Sequence, residues 1–158
     1  MVRLDAAELV GTSVVTGSEH AQSTSLMRII DGELFKLSAS LAPNPIQALQ
    51  TLTGTLRVTN TSAIDRTGIF VRARVPLNAV NGFSQSVLGG GSCITSEGST
   101  YCYAGEIVTW NVGSLLAGQT RFVTMPMIVA NGTASGRLIA LEAYATTDAG
   151  EVATLAVQ

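Results

Sequence analysis

Apolar residues recur at every second position in segment after segment of this chain, and almost nowhere at the spacing of about 3.6 that a helix requires. From Leu52 to Val58, Leu52, Gly54, Leu56 and Val58 fall on one side, and Thr53, Thr55 and Arg57 on the other. From Ile69 to Val75 the inward set is Ile69, Val71, Ala73 and Val75, against Phe70, Arg72 and Arg74, with Pro76 closing the run. Between Glu106 and Val112, the side chains Val108, Trp110 and Val112 share a face. Arg121–Val129 and Leu138–Thr146 read the same way, the latter with Ile139, Leu141, Ala143 and Ala145 in phase. A period of two puts successive side chains on opposite faces, so each run is a half-buried strand that needs partners. The expected core therefore includes Leu56, Val58, Val71, Val75, Val108, Trp110 and Val112.

Turn signals separate the runs: Asn44-Pro45, Asn60-Thr-Ser, Asp65-Arg-Thr-Gly68, Ala117-Gly118 and Asn131-Gly132. Asn-Gly between apolar runs predicts a hairpin, because both residues tolerate positive φ. Strands at such spacing, with no helical pattern between them, predict an all-β fold. An immunoglobulin-like antiparallel β-sandwich is expected, with a jelly roll as the competing arrangement.

Composition removes several function classes. Apolar residues make up 46% of the 158 positions and charged residues 13%, about half the usual quarter, which excludes disorder and coiled coils. Nine basic against eleven acidic residues leave a net charge of −2, so no basic footprint for nucleic acid is present. Lys36 is the only lysine. One histidine, His20, and two cysteines cannot build a multi-histidine site or a four-thiolate zinc site, and neither a metal nor a cofactor is expected. Thr, Ser, Arg or Gly interrupts every apolar run before the roughly 18 residues of a membrane-spanning helix. The opening Met1–Val10 lacks the basic and apolar regions of a signal peptide.

The two ends of the chain resemble each other. Arg3-Leu-Asp-Ala-Ala-Glu-Leu-Val-Gly-Thr-Ser13 aligns with Arg137-Leu-Ile-Ala-Leu-Glu-Ala-Tyr-Ala-Thr-Thr147, matching at Arg3/Arg137, Leu4/Leu138, Ala6/Ala140, Glu8/Glu142 and Thr12/Thr146. A Gly-containing turn with a glutamate follows each copy, Gly17-Ser-Glu19 and Gly150-Glu151. Self-similarity at a fixed offset is the mark of an array, although two hairpins of similar composition could also match by chance. On the array reading, residues 1–32 are an N-terminal hairpin extension and 33–158 a complete sandwich module. The extension is then either the closing strands of a preceding module or a segment that docks on a neighbouring subunit by strand addition.

Residues 33–158 also resemble a family. Leu52-Thr-Gly-Thr-Leu-Arg-Val-Thr-Asn60-Thr-Ser, Val71-Arg-Ala-Arg-Val-Pro76 and Val108-Thr-Trp-Asn-Val-Gly113-Ser-Leu-Leu-Ala-Gly118 are similar to the conserved repeat domain of bacterial surface proteins, the domain of unknown function numbered eleven. The resemblance implies an immunoglobulin-like extracellular module, often in tandem, with a structural or adhesive role and no enzymatic activity. The chain departs from the family at Gly54, where an aromatic is common. The core volume there must come from another side chain. A second departure is the Leu88-Gly-Gly-Gly-Ser92 insertion with its cysteine pair.

Cys93 and Cys102 flank a turn at Glu97-Gly98, and a disulfide between them is expected; two buried free thiols are the alternative. A bridge implies an oxidising compartment, hence a secreted or cell-surface location. Tyr101, Tyr103 and Phe83 are candidates for contact with a neighbouring copy, a glycan or a protein through the 84–104 loop, although the tyrosines could instead pack over the disulfide. Glu19-His20 has serines nearby but no G-x-S-x-G turn, so no hydrolytic triad is expected. Asp31, Asp65 and Asp148 stand apart in turns, against a calcium site. Asn60-Thr-Ser62 and Asn131-Gly-Thr133 match the glycosylation sequon, and both asparagines also suit their turns. The chain is expected to be a non-enzymatic link in a stalk, adhesin or extracellular filament whose partners are adjacent copies of itself. A carbohydrate- or protein-binding module is the alternative.

Overall fold

A computed structural model describes residues 13–14, 35–77, 80–93, 100–148, 150 and 152–157, with backbone pairing alone at 13–14 and 152–157. The strands are β1 (Ser13–Val14), β2 (Phe35–Ala42), β3 (Thr51–Asn60), β4 (Arg66–Arg74), β5 (Phe83–Ser84), β6 (Gly91–Cys93), β7 (Tyr101–Cys102), β8 (Ile107–Leu115), β9 (Thr120–Ile128), β10 (Leu138–Ile139), β11 (Leu141–Thr146) and β12 (Val152–Val157). A single 3₁₀ turn, Gln85–Leu88, is the only helical element among the described residues. All ladders are antiparallel. One sheet runs β12-β11-β4-β8-β6 and the other β2-β3-β9, while β1-β10 and β5-β7 are short pairs.

The alternation explains the two layers. Leu52, Leu56 and Val58 of β3 and Met125 and Met127 of β9 are buried, as are Ile69, Val71 and Ala73 of β4 and Leu141, Ala143 and Ala145 of β11. These side chains, drawn from both sheets, form one core cluster with Val75, Val108 and Trp110. Val112 packs on its margin, half-buried. The protein is thus an all-β antiparallel sandwich. Each fully buried aliphatic side chain contributes roughly 1.5–3 kcal/mol, so it is the inner faces that hold the sheets together. At Gly54, a Cβ would stand 2.9 Å from Leu141 Cδ2 of the opposite sheet and 3.6 Å from Leu41 Cδ2. These two leucines occupy the volume that a larger residue at position 54 would need.

The chain changes sheets at β3→β4 and β8→β9, and again between β9 and β11. This last passage corrects one expectation. Asn131-Gly132 does form a turn, with Gly132 at φ 81, but the strands on either side lie in different sheets and do not pair. Its eight-residue connection, Ala130–Arg137, is a crossover rather than a hairpin. The Leu138–Thr146 run likewise divides at Ala140: β10 pairs with β1, and β11 with β4 and β12. Phe35–Ala42 adds a strand whose alternation the sequence also carries.

Ser13↔Ile139 and Val14↔Leu138 are the pairings of β1. The rest of the first repeat copy, residues 3–12, lies outside the described residues, as do Glu19 and His20 after it, Asp31 and the Glu97-Gly98 turn.

Candidate functional site

Residues 80–93 and 100–106 form a strap along the margin of the sandwich. Val80 bridges Val129, and Asn81 donates its N–H to the Ile128 carbonyl at 2.8 Å, so the strap starts against the outer edge of β9. Because the Ile128 carbonyl points outward, the alternation of an antiparallel strand turns the backbone of Pro126 to that same edge. There the missing N–H of proline leaves no donor unmet. The strap next turns inward at Phe83, which is 5% exposed and belongs to the core; it offers no surface for a partner.

Past the 3₁₀ turn the strap lies over the indole of Trp110. Trp110 Nε1 donates to the Leu88 carbonyl at 2.8 Å in a buried hydrogen bond. Gly91 pairs with Trp110 across the β6–β8 ladder, and a Cβ there would overlap the ring. Glycine at position 91 is what allows the backbone to rest on the indole.

Cys93 and Cys102 are joined, with 5.7 Å between their Cα atoms. Cys93 pairs with Val108 on β8, and Cys102 with Phe83 on β5, so the bridge ties the five-stranded sheet to the small β5-β7 pair. The two sulfurs and Glu106 lie within 4.8 Å of one another, but sulfurs spent in a disulfide supply no thiolate for a metal. Glu106 Oε2 accepts the Tyr103 N–H at 2.6 Å. Tyr101 and Tyr103 are 48% and 53% exposed on this strap, and the Tyr103 ring rests on Gly82. Beside the strap, a cleft of about 200 Å³ is lined by Gly89, Gly90, Trp110, Asn111, Arg121 and Phe122, among others.

Asn60 is the feature that sequence reasoning missed. It is fully buried at the end of β3 and the only buried polar residue among the described residues. Its Nδ2 donates to the carbonyls of Ile64 (2.8 Å), Leu115 (3.0 Å) and Leu116 (3.2 Å). Its Oδ1 accepts from Ser62 N (3.0 Å) and Ser62 Oγ (2.7 Å). The Asn60 backbone adds bonds to Gln119 and Gly118. One side chain thus clasps both loops through which the chain changes sheet at this pole. The Asn60 amide nitrogen is committed in the folded chain, which removes the Asn60-Thr-Ser62 sequon as a modification site there. The signal lay in the Val-Thr-Asn ending of a strand followed by Thr-Ser.

Of the acidic turn residues, Asp65 accepts the Ala117 N–H at 3.0 Å. The carboxylate of Asp148 lies where a Cβ on Gly68 would sit, and Gly68 is at φ 62.

Among the described residues, five exposed large apolar side chains stand at the two ends of the strands, while Val87, Tyr101, Tyr103 and Phe122 are exposed elsewhere. Ile64 (60%) and Leu116 (58%) stand on the clasped loops at one pole. Leu49 (63%), Leu77 (55%) and Leu138 (50%) stand near the opposite strand ends. A cleft of about 170 Å³, lined by Arg74, Pro76, Leu77, Leu138, Ile139 and Glu142 among others, opens at this second pole. No helix among the described residues is long and apolar enough to cross a membrane. No protein-family model matches the chain, and no curated protein matches it.

Proposed function

We propose that the chain is a non-enzymatic structural module of a secreted or cell-surface bacterial protein, a link in a stalk, adhesin or extracellular filament that packs on adjacent copies. The observation that carries this reading is the apolar side chains at both poles: Ile64 and Leu116 at one, Leu49, Leu77 and Leu138 at the other. Exposed apolar surface at opposite ends of a sparingly charged body favours end-to-end stacking. The disulfide supports an oxidising location. The resemblance to the bacterial surface repeat domain, carried by the Val-Thr-Asn60 and Val108-Thr-Trp-Asn-Val-Gly113 motifs, supports the same reading. The division into β2-β3-β9 against a sheet holding β4, β8, β11 and β12 supports an immunoglobulin-like module.

Sedimentation and electron microscopy of the purified chain test the reading. Concentration-dependent oligomers or regular fibres are expected, with association lost in an Ile64→Asp, Leu116→Asp double variant that keeps the parental melting temperature. Uniform monomers at every concentration would overturn it. A second reading, a carbohydrate- or protein-binding module using the 84–104 loop, is favoured by the half-exposed Tyr101 and Tyr103. Glycan or pull-down binding that disappears in Tyr101→Ala would select it.

A further inference from the structure

The outer face of the five-stranded sheet carries an arrangement that packing alone does not use. On β4 the outward residues include Phe70, Arg72 and Arg74, and on β11 Glu142, Tyr144 and Thr146. In register, Arg74 pairs with Glu142, Arg72 with Tyr144 and Phe70 with Thr146. On the other side of β4, Thr109 pairs with Arg72 and Asn111 with Phe70. Arg72 therefore sits at the centre of a small grid of aromatic and hydroxyl side chains.

Its guanidinium is held in place. The carbon Cζ lies 5.4 Å from the centroid of the Phe70 ring and 5.7 Å from that of Tyr144, and Nη1 donates to Thr146 Oγ1 at 2.7 Å. Neighbouring Arg74 meets Glu142 at 3.4 Å, whereas no carboxylate among the described residues pairs with Arg72. An arginine stacked by rings has lost much of its rotamer freedom before a ligand arrives, and it keeps donors for a bidentate acceptor.

We propose that this face binds a linear polysaccharide of uronic acids, with one sugar carboxylate on Arg72. Charge selects the ligand class: with Arg74 neutralised by Glu142, the grid offers one uncompensated cation, matched to one carboxylate per sugar ring. The Tyr144 hydroxyl, Thr109 and the Asn111 amide are within the same grid for sugar hydroxyls, and the ring faces suit sugar C–H groups. The grid lies on the outer face of the sheet, half-buried at Phe70, Arg72, Tyr144 and Thr146 and exposed at Asn111, which fits an internal stretch of a chain better than a terminal sugar. The proposal stands apart from self-association through the poles, and from the Tyr101 loop.

Titration of the full chain with oligogalacturonate, followed by NMR of the arginine side chains and by calorimetry, tests this. Weak saturable binding centred on the Arg72 Nε signal is expected, reduced tenfold or more in Arg72→Gln and severalfold in Arg72→Lys, which keeps charge but loses the fork. Tyr144→Phe, which removes only a hydroxyl, should weaken binding by a small factor with the fold intact. Arg57→Gln, on the opposite face beside Phe122, should leave it unchanged. Absence of binding at millimolar ligand, equal binding of the methyl-esterified oligomer, or equal losses in Arg57→Gln and Arg72→Gln would each overturn the proposal.

Discussion

Asn60 and the Cys93–Cys102 bridge both tie irregular segments to the sandwich, the first through neutral hydrogen bonds in the interior and the second through a covalent link at the margin. The difference lies in which state of the chain each acts upon. The amide of Asn60 has nothing to hold until β3, the β3–β4 loop and the β8–β9 turn are already together, so its contribution belongs wholly to the folded state. A disulfide acts chiefly by limiting the unfolded chain, whatever the rest of the fold does. The clasp therefore shares in the cooperativity of the core, whereas the bridge limits the unfolded freedom of a strap that itself lends Val80, Phe83 and Leu88 to that core.

Asn60→Asp is the sharpest way to break the clasp. It keeps the shape but replaces a donor facing three carbonyls with a buried acceptor, and a loss of about 3 to 4 kcal/mol is expected in urea unfolding. A loss below about 1 kcal/mol would mean that the amide is dispensable. Replacing both cysteines with alanine should cost about 2.5 to 3 kcal/mol, from the chain entropy of a loop of about ten residues. If the double alanine variant lost its far-ultraviolet β signal at room temperature, the bridge would be required for the fold itself and not only for its stability.

Gly91→Ala should cost about 2 kcal/mol through overlap with the indole, seen as a lowered melting temperature together with a red-shifted Trp110 emission. An unchanged emission would show that the strap does not rest on Trp110. Arg74→Gln should change stability by less than about 0.5 kcal/mol, because the Arg74–Glu142 pair is well exposed. A larger effect in the same unfolding assay would make the outer face a structural element comparable to the clasp.

The strands were legible in the sequence wherever β-branched and large aliphatic residues marked every second position, as in Ile69, Val71, Ala73 and Val75. Phe35–Ala42 alternates as well, but small Ala39 and flanking serines dilute the contrast. The two-layer arrangement followed from alternation with no helical pattern. Sheet membership did not follow, because Asn131-Gly132 looks alike whether it closes a ladder or carries the chain across. The candidate site was legible in part. Paired cysteines across a turn can be read from spacing, whereas the burial of Phe83 depends on how the strap folds back, and the clasp of Asn60 depends on loops distant in sequence. The grid around Arg72 needs the pairing of β4 with β11, which no local pattern encodes.

Gly54 and Leu141 share a single volume across the interior. Enlargement at position 54 should be tolerated only with a smaller residue at 141, so homologues carrying a bulky residue at the first position should show truncation at the second. The pair is thus a steric ledger kept between two sheets, and it lets sequences drift together while each change alone is refused.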